Sequence, residues 1–341
     1  MAVNLPNRIG DAGVERLTPQ PLNVCVATLT RKRPAMLAQL LWSWQGLNHP
    51  DGVKTTFLVV ENDDAPTAKR AVEEFAAAVA PHEARYVLEP RIGIPFARNR
   101  AVAEMLRSDA ALLLFVDDDE TVAPDWLREM VEEFRRSHAL LIGGPVFAVA
   151  PSFKLPWLPG QVFKGVAKRY SRKALRAAKR FDAGNPQATT IVTSNWLGHR
   201  DLFDKYNLRF DESLAFSGGS DAKFDDRVTA AGLEKSWAKN AYVTETIPWS
   251  RLSAAYQFRR GRDQSIASFQ RRLGREPARA MLLLPVELLL RLVFVILLAA
   301  AVPLTGGRSL LDLARAAGWS VGRCVALIGV RSRLYETVTG E

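Results

Sequence analysis

Residues 112–120 constrain this chain more than any other stretch. Five apolar residues, LLLFV, predict a buried parallel strand, and three aspartates and a glutamate follow directly at its carboxyl end. Open α/β sheets bind ligands just beyond the carboxyl ends of their strands. Clustered carboxylates repel one another unless a cation lies among them, and a divalent metal bound to a substrate phosphate is the simplest such cation. The segment predicts a site for a nucleotide or sugar diphosphate; the alternative is a polar turn that opens a helix at Pro124.

The first half of the sequence alternates short apolar segments with segments of helical periodicity. Strands are predicted at residues 23–30, 55–62, 85–88, 112–116 and 140–149, the last broken at Gly143 and Gly144. Helices are predicted at residues 34–46, 67–79, 95–106 and 124–136. This alternation of strands and helices predicts an α/β fold with a doubly wound, mostly parallel sheet flanked by helices. No glycine-rich loop follows the first strand, which argues against a P-loop NTPase and a dinucleotide-binding domain.

The second half is less regular. Residues 151–188 are rich in proline and basic residues and are interpreted as an irregular insertion or mobile loop. A strand is expected at residues 189–195, a helix at 221–231 and a short strand at 242–245. From Arg251 onward the pattern is helical.

Charge and composition narrow the possible partners. The 341 residues carry a net charge of +10, concentrated in two basic runs at residues 164–180 and 251–279. Such runs attract phosphate-rich partners, but no aromatic-interleaved or helix-turn-helix pattern supports nucleic acid. Two distant cysteines and four scattered histidines give no disulfide framework and no zinc-ligand spacing. Residues 1–21 form a polar leader without the apolar core of a signal peptide.

The C-terminal region differs in character. Residues 281–304 contain only Glu287 and Arg291 as charged residues, and a helix of this length would span about 36 Å, against a bilayer core of about 30 Å. Basic residues flank the segment on both sides, so a re-entrant or surface-lying hairpin with residues 310–330 would keep both flanks on the cytosolic side. A single span and a buried core helix are the alternatives. We therefore expect a helical membrane-associated tail at residues 263–341.

Five short segments add a resemblance to a known family. They are ATLTR (27–31), VVEND (59–63), GIPFARN (93–99), FVDDDE (115–120) and SGGSD (217–221). In this order they resemble the family 2 glycosyltransferases, and most closely the bacterial exopolysaccharide glucosyltransferases of the succinoglycan type. The resemblance covers residues 22–262 and implies a catalytic domain with the Rossmann-like GT-A fold.

The resemblance also implies roles for individual residues. Asp119, together with Asp117, would bind the Mg²⁺ or Mn²⁺ that bridges the donor phosphates, and Asp221 would be the general base of an inverting transfer. Residues 193–196 would line the acceptor side, and the arginines at 259, 260 and 262 would meet the diphosphate of the donor or of a lipid acceptor. The residues expected to bind the nucleotide-sugar donor are Thr28, Thr30, Arg31, Glu61, Asn62, Asp63, Arg98, Asp117 and Asp118.

The expected activity is therefore the metal-dependent transfer of a hexose from a UDP-sugar. The expected acceptor is a polyprenyl-diphosphate-linked oligosaccharide of exopolysaccharide synthesis, at the cytoplasmic face of the cell inner membrane. Three alternatives stay open: a simple lipid acceptor such as polyprenyl phosphate, a nucleotidyl transferase, and a non-catalytic membrane adaptor.

Overall fold

The computed structural model describes residues 21–215 and 218–330. The predicted leader, except residue 21, and Ser217 of the SGGSD segment lie outside these residues. The strands are β1 Leu22–Thr30, β2 Val53–Glu61, β3 Glu83–Leu88, β4 Leu112–Val116, β5 Glu120–Val122, β6 Leu141–Gly143, β7 Val146–Val149, β8 Asn195–His199, β9 Lys235–Trp237 and β10 Val243–Thr246. The helices are α1 Pro34–Gln45, α2 Lys69–Ala78, α3 Ile94–Leu106, α4 Trp126–Ser137, α5 Trp157–Asp182, α6 Ser220–Ala230, α7 Ala254–Arg275, α8 Pro277–Leu304 and α9 Leu310–Leu327.

The main sheet has the strand order β3-β2-β1-β4-β8-β6-β9. Strands β3, β2, β1 and β4 are parallel, β8 runs antiparallel to both of its neighbours, and β9 is parallel to β6. Helices α1, α2 and α4 cover one face and α3 and α6 cover the other, each over its own apolar core. Every residue of β4 is buried, which agrees with its entirely apolar sequence. The strand directions confirm the predicted α/β fold with a mostly parallel sheet.

The parallel strands bring their carboxyl ends to one edge of the sheet. Thr30 at the end of β1 pairs in register with Glu61 at the end of β2, and Ala27 pairs with Phe115 of β4. A small second sheet, β5-β10-β7, adjoins this edge and pairs Glu120 directly with Glu245. The fold therefore gathers the acidic segment after β4, the end of β1 and Glu245 in one region.

Two predictions for the second half are wrong. Residues 157–182 form the long helix α5 instead of an irregular insertion. The prolines that suggested a loop precede this helix, lie in its first turn, where proline is tolerated, or follow its end. Residues 189–194 form no strand, because β4 ends at Val116 opposite Asn195 and the residues before Asn195 extend past their partner strand. The strand in this region is β8, which begins at Asn195.

The C-terminal helices pack closely against one another and against α5. Helices α7 and α9 lie so close together that a Cβ at Gly318 would approach the carbonyl oxygen of Phe258 to 2.1 Å. The boundary expected after residue 262 lies inside α7, which continues to Arg275. Among the residues described, α8 is the helix long and apolar enough to cross a membrane, and only 6% of its most apolar window is buried. The predicted apolar helix and its hairpin partner, α9, are both present.

Candidate active site

A large cleft opens at the carboxyl edge of the sheet, with a volume of about 1480 Å³. One wall comes from the loops after β1, β2 and β4, and the other from α5, α7 and the start of α9. Basic side chains outnumber acidic ones about two to one among the described residues that line it. The cleft therefore suits a substrate that carries several phosphate charges.

The acidic segment after β4 lies at the base of this cleft. Asp118 accepts hydrogen bonds from Thr30 Oγ1 and from Arg33 Nη1, both at 2.9 Å. Asp119 Oδ2 lies 3.6 Å from Arg33 and 3.3 Å from Arg251. Arg251 also contacts Glu245 at 2.7 Å, so one guanidinium joins two carboxylates. Two arginines therefore balance part of the negative charge of this cluster.

The pKa values of the carboxyl groups in this cluster reflect the negative charge that the two arginines do not balance. Desolvation and the neighbouring Asp119 raise the pKa of Asp117 to about 7, although Arg98 opposes the shift. Burial raises the pKa of Asp118 to about 6 against the effect of Arg33. Burial also raises the pKa values of Glu120 and Glu245, with Asp117 adding to the shift of Glu120 and Asp119 to that of Glu245. Such shifts mark a place where further positive charge is favourable.

The carboxylates of this cluster could bind a divalent metal ion together with a substrate, but they do not form a complete site by themselves. Asp117 and Asp119 offer carboxylate oxygens of the kind that Mg²⁺ and Mn²⁺ prefer. Within residues 21–215 and 218–330, however, no three acidic, histidine or cysteine side chains converge into a complete metal cage. Mg²⁺ is commonly held by one or two carboxylates and by substrate phosphates. The residues present therefore fit an ion that arrives with a diphosphate.

The predicted donor-binding residues fall into two groups. Thr30, Arg31, Asn62, Arg98, Asp117 and Asp118 line the cleft together with Asp119. Thr28, Glu61 and Asp63 are buried and do not line it. Their predicted contacts with the donor stay predictions.

Glu61 and Asn62 have structural partners of their own. The Glu61 carboxylate accepts hydrogen bonds from the backbone N–H of Thr67 and Ala68, at 3.1 and 3.0 Å, and so supports the start of α2. Asn62 donates to the carbonyl of Arg91 at 2.8 Å and accepts from the N–H of Gly93 at 2.8 Å. Asn62 therefore shapes the loop that leads into α3 and Arg98.

Asp221 enters the same cleft from a different element. It lies in the first turn of α6, after Gly219 with a φ of 83°, and accepts a hydrogen bond from the N–H of Ala222 at 2.8 Å. The preceding Ser220 accepts from Arg98 Nη1 at 2.8 Å, which ties α6 to α3. The fold thus places Asp119 and Asp221 in one cleft, although more than a hundred residues separate them in the sequence.

Other residues of the site carried no assigned role in the sequence. Arg33 bridges Asp118 and Asp119, and Tyr170 of α5 donates a short hydrogen bond to Glu245. Lys173 lines the cleft. Desolvation within the cleft lowers the pKa of its amine, and the nearby Asp221 opposes this shift. The basic residues at 164, 168, 172, 176 and 180 repeat every four positions. This helical spacing could have indicated α5 and its basic face.

Two further contacts bear on the predicted acceptor side. Thr193, Ser194 and Asn195 line the cleft, whereas Trp196 is buried in the core. Asn195 donates to the carbonyl of Ala241 at 2.6 Å and accepts from Trp126 Nε1 at 2.8 Å. Its amide therefore holds the small sheet against the main one.

Comparison with known proteins places the chain in a family. Residues 24–207 match the domain family described as glycosyl transferase family 2. The succinoglycan biosynthesis protein ExoM of Rhizobium meliloti (strain 1021) is 30% identical over 241 residues, which cover 71% of this chain and 72% of that protein. The mannosyltransferase PcManGT of Pyrobaculum calidifontis, solved with GDP-Man and Mn²⁺, shares the fold with a TM-score of 0.57 at 15% identity, over 89% of this chain and 86% of that one. The chain therefore belongs to glycosyltransferase family 2 and is a glycosyltransferase with the GT-A fold.

Proposed function

We propose that this glycosyltransferase moves a hexose from a UDP-sugar to a lipid-linked oligosaccharide, with inversion at the anomeric carbon. The observation that carries the proposal is the shared cleft of Asp119 and Asp221. Asp119 belongs to the acidic cluster after β4, and Asp221 lines the same cleft from the first turn of α6. A donor bound by the first carboxylate and an acceptor held by the second would meet in this cleft.

On the donor side, Arg31 and Arg98 line the cleft beside the acidic cluster and would bind the diphosphate as charge partners. Asp119, with Asp117, would hold a Mg²⁺ or Mn²⁺ ion, which when bound supplies positive charge to the leaving nucleoside diphosphate. Asp118 is already held by Thr30 and Arg33, so it would position the loop and contact the hydroxyl groups of the donor.

On the acceptor side, Asp221 would take the proton of the attacking hydroxyl. Its carboxylate lies in the first turn of α6 and lines the same cleft as the acidic cluster. Lys173 approaches from α5 and would contact the donor or acceptor near this carboxylate.

Membrane association is part of the proposal. Apolar side chains of α8 are exposed over most of its length, with Leu282 78% and Leu290 66% accessible. An exposed apolar surface of this extent is typical of a contact with lipid or with another protein. We place the lipid-linked acceptor and this helix at the cytoplasmic face of the cell inner membrane, in exopolysaccharide synthesis as for ExoM.

A donor panel tests the proposal. Native membranes that contain the protein would be supplied with UDP-, GDP- and dTDP-sugars, with Mn²⁺ or with EDTA, and release of the nucleoside diphosphate would be measured. GDP-mannose belongs in the panel because PcManGT was solved with GDP-Man. We expect metal-dependent turnover of one UDP-sugar.

Variants complete this test. Asp119→Ala should abolish turnover and metal-dependent donor binding, whereas Asp221→Asn should abolish turnover and retain donor binding. The exposed Asp51 gives a matched control in Asp51→Asn. Full activity in EDTA would contradict the role of the metal, and an active Asp221→Asn variant would contradict the role of the base.

A further inference from the structure

Two groups of cations that line the cleft differ in their contacts. Arg33 and Arg251 contact the acidic cluster and so belong to the donor side. A second region lies where the first half of α5 meets the turn between α8 and α9 and the start of α9. The basic residues that line the cleft there are Lys164, Lys168, Arg169, Arg308 and Arg315.

Close packing fixes this second region. A Cβ at Gly165 of α5 would lie 2.6 Å from Leu311 of α9, and a Cβ at Gly307 would lie 2.9 Å from Trp157. Arg169 contacts Asp312 at 3.5 Å across the same interface. This packing thus brings the cations of α5 and those of the turn before α9 and of α9 to one interface, where Arg169 pairs with Asp312.

The positive charge of this region is crowded. Burial lowers the pKa of Arg315 to about 10, and repulsion by Arg169 and Arg260 adds to the shift. Arg315 Nε donates to Gln257 Oε1 at 2.8 Å, and this partner carries no negative charge. Like charges held together in this way are stabilised by a multivalent anion.

The region also lies at the end of the apolar helix. Helix α8 ends at Leu304, which is 86% exposed, and Arg308 follows in the turn that leads to α9. An anionic group bound here would have an apolar surface on one side and the open cleft with Asp221 on the other. This combination matches a lipid with a phosphate-rich headgroup and a sugar beyond it.

We propose that Lys164, Lys168, Arg169, Arg308 and Arg315 form a second anion site, which holds the diphosphate of the lipid acceptor while its hydrocarbon chain follows α8. The inference rests on the proposed function and names the acceptor group that the enzyme recognises. A diphosphate carries two or three negative charges, so several cations can contact it at once.

Vesicle binding of the full chain tests this site without turnover. The triple variant Lys164→Gln, Lys168→Gln and Arg308→Gln removes three exposed cations of the region. The control Lys54→Gln, Lys154→Gln and Lys179→Gln removes three exposed cations that do not line the cleft. Both proteins would be titrated with phosphatidylcholine vesicles that contain a polyprenyl diphosphate, with vesicles of equal charge that contain phosphatidylglycerol, and with inorganic diphosphate in solution.

The triple variant at residues 164, 168 and 308 is the cleft variant. We expect its affinity for the polyprenyl diphosphate vesicles to fall about 100-fold, because each lost cation lowers the affinity roughly tenfold or less. The control variant should bind them like the wild type, and both should bind phosphatidylglycerol vesicles equally. Competition by inorganic diphosphate would show that the headgroup, and not the hydrocarbon chain, is recognised.

Separate outcomes would overturn the inference. Equal binding of polyprenyl diphosphate by the cleft and control variants would show that these residues do not form the site. A parallel loss of binding to phosphatidylglycerol vesicles would show general surface attraction. A parallel loss of affinity in a separate titration with UDP would assign the cations to the donor. Failure of wild-type protein to bind any nucleotide sugar would instead contradict the proposed function, whatever the vesicles show.

Discussion

At the scale of single residues, the acidic cluster depends on two arginines. Arg33 contacts Asp118 and Asp119. Arg251 contacts Asp119 and Glu245, and these three side chains are only 10–12% exposed. Pairs that are removed from water in this way have a larger effect on stability than exposed pairs. The arginines therefore hold the carboxylates in place and balance part of their negative charge.

The substitution Arg251→Gln tests this dependence. It leaves Asp119 and Glu245 without their shared guanidinium, so we expect the free energy of unfolding to fall by about 2 kcal/mol in EDTA. Mn²⁺ should then raise the melting temperature of the variant more than that of the wild type, because the ion replaces the missing charge.

An exposed ion pair provides the comparison for Arg251. Arg70 contacts Glu74 at 2.9 Å on the surface of α2, and Arg70→Gln should leave the free energy of unfolding nearly unchanged because both side chains are exposed to solvent. Thermal unfolding of the three proteins with and without Mn²⁺ gives the measurement. Equal losses in the two variants would contradict a special role for Arg251.

At the scale of elements, helices α5, α7 and α9 complete a cleft that the sheet alone would leave open. Helix α7 carries Gly261 and α9 carries Gly318 and Gly322, and each glycine faces the backbone of the other helix. Small residues at such positions let two helices approach until their backbones touch. This contact sets where the basic residues of α9 lie relative to the sheet.

Enlarging one of these glycines should separate the helices. Gly318→Leu would force side-chain atoms against the carbonyl of Phe258, and we expect a loss of at least ~3 kcal/mol in the free energy of unfolding. The control Gly274→Leu lies near the end of α7 with no atom within 4 Å of a Cβ, and it should be neutral or slightly stabilising. Similar melting temperatures for the two variants would contradict the close packing of α7 and α9.

At the scale of the whole molecule, a catalytic cleft and an apolar surface belong to one continuous structure. The base of α8 packs through Ala280 and Leu284 onto α7 and α9, which themselves line the cleft. Most other apolar residues of α8 face outward. Binding of α8 to a membrane would therefore fix the orientation of the cleft relative to the lipid surface.

A charge on the exposed face of α8 tests membrane binding. Leu297 is 62% exposed, so Leu297→Arg should leave the melting temperature of the detergent-solubilised protein nearly unchanged. In a bilayer the same arginine costs about 3 kcal/mol, which should lower the membrane-bound fraction in flotation assays. Leu297→Met is the apolar control. Unchanged flotation of the arginine variant would contradict burial of this face in lipid.

The sequence determined those features that depend on local pattern. The run of apolar residues in β4, the alternation of strands and helices, the acids after the strand and the apolar segment of α8 follow from hydrophobic periodicity and from charge. The family resemblance predicts Asp119 and Asp221 as site residues, and both line the cleft. For helix α5 the local signals conflict, because prolines just before the helix and in its first turn favour a loop, whereas the four-residue spacing of its basic residues favours a helix.

Tertiary structure decided which distant residues meet. The register of β10 with β5 brings Glu245 beside Glu120, and Arg251 follows on the turn after β10 to reach Asp119. The packing of α5 against α9 gathers cations that lie about 150 residues apart in the chain. Strand pairing and helix packing are long-range interactions, so no local pattern in the sequence specifies them, and only the folded chain assembles the two sides of this cleft.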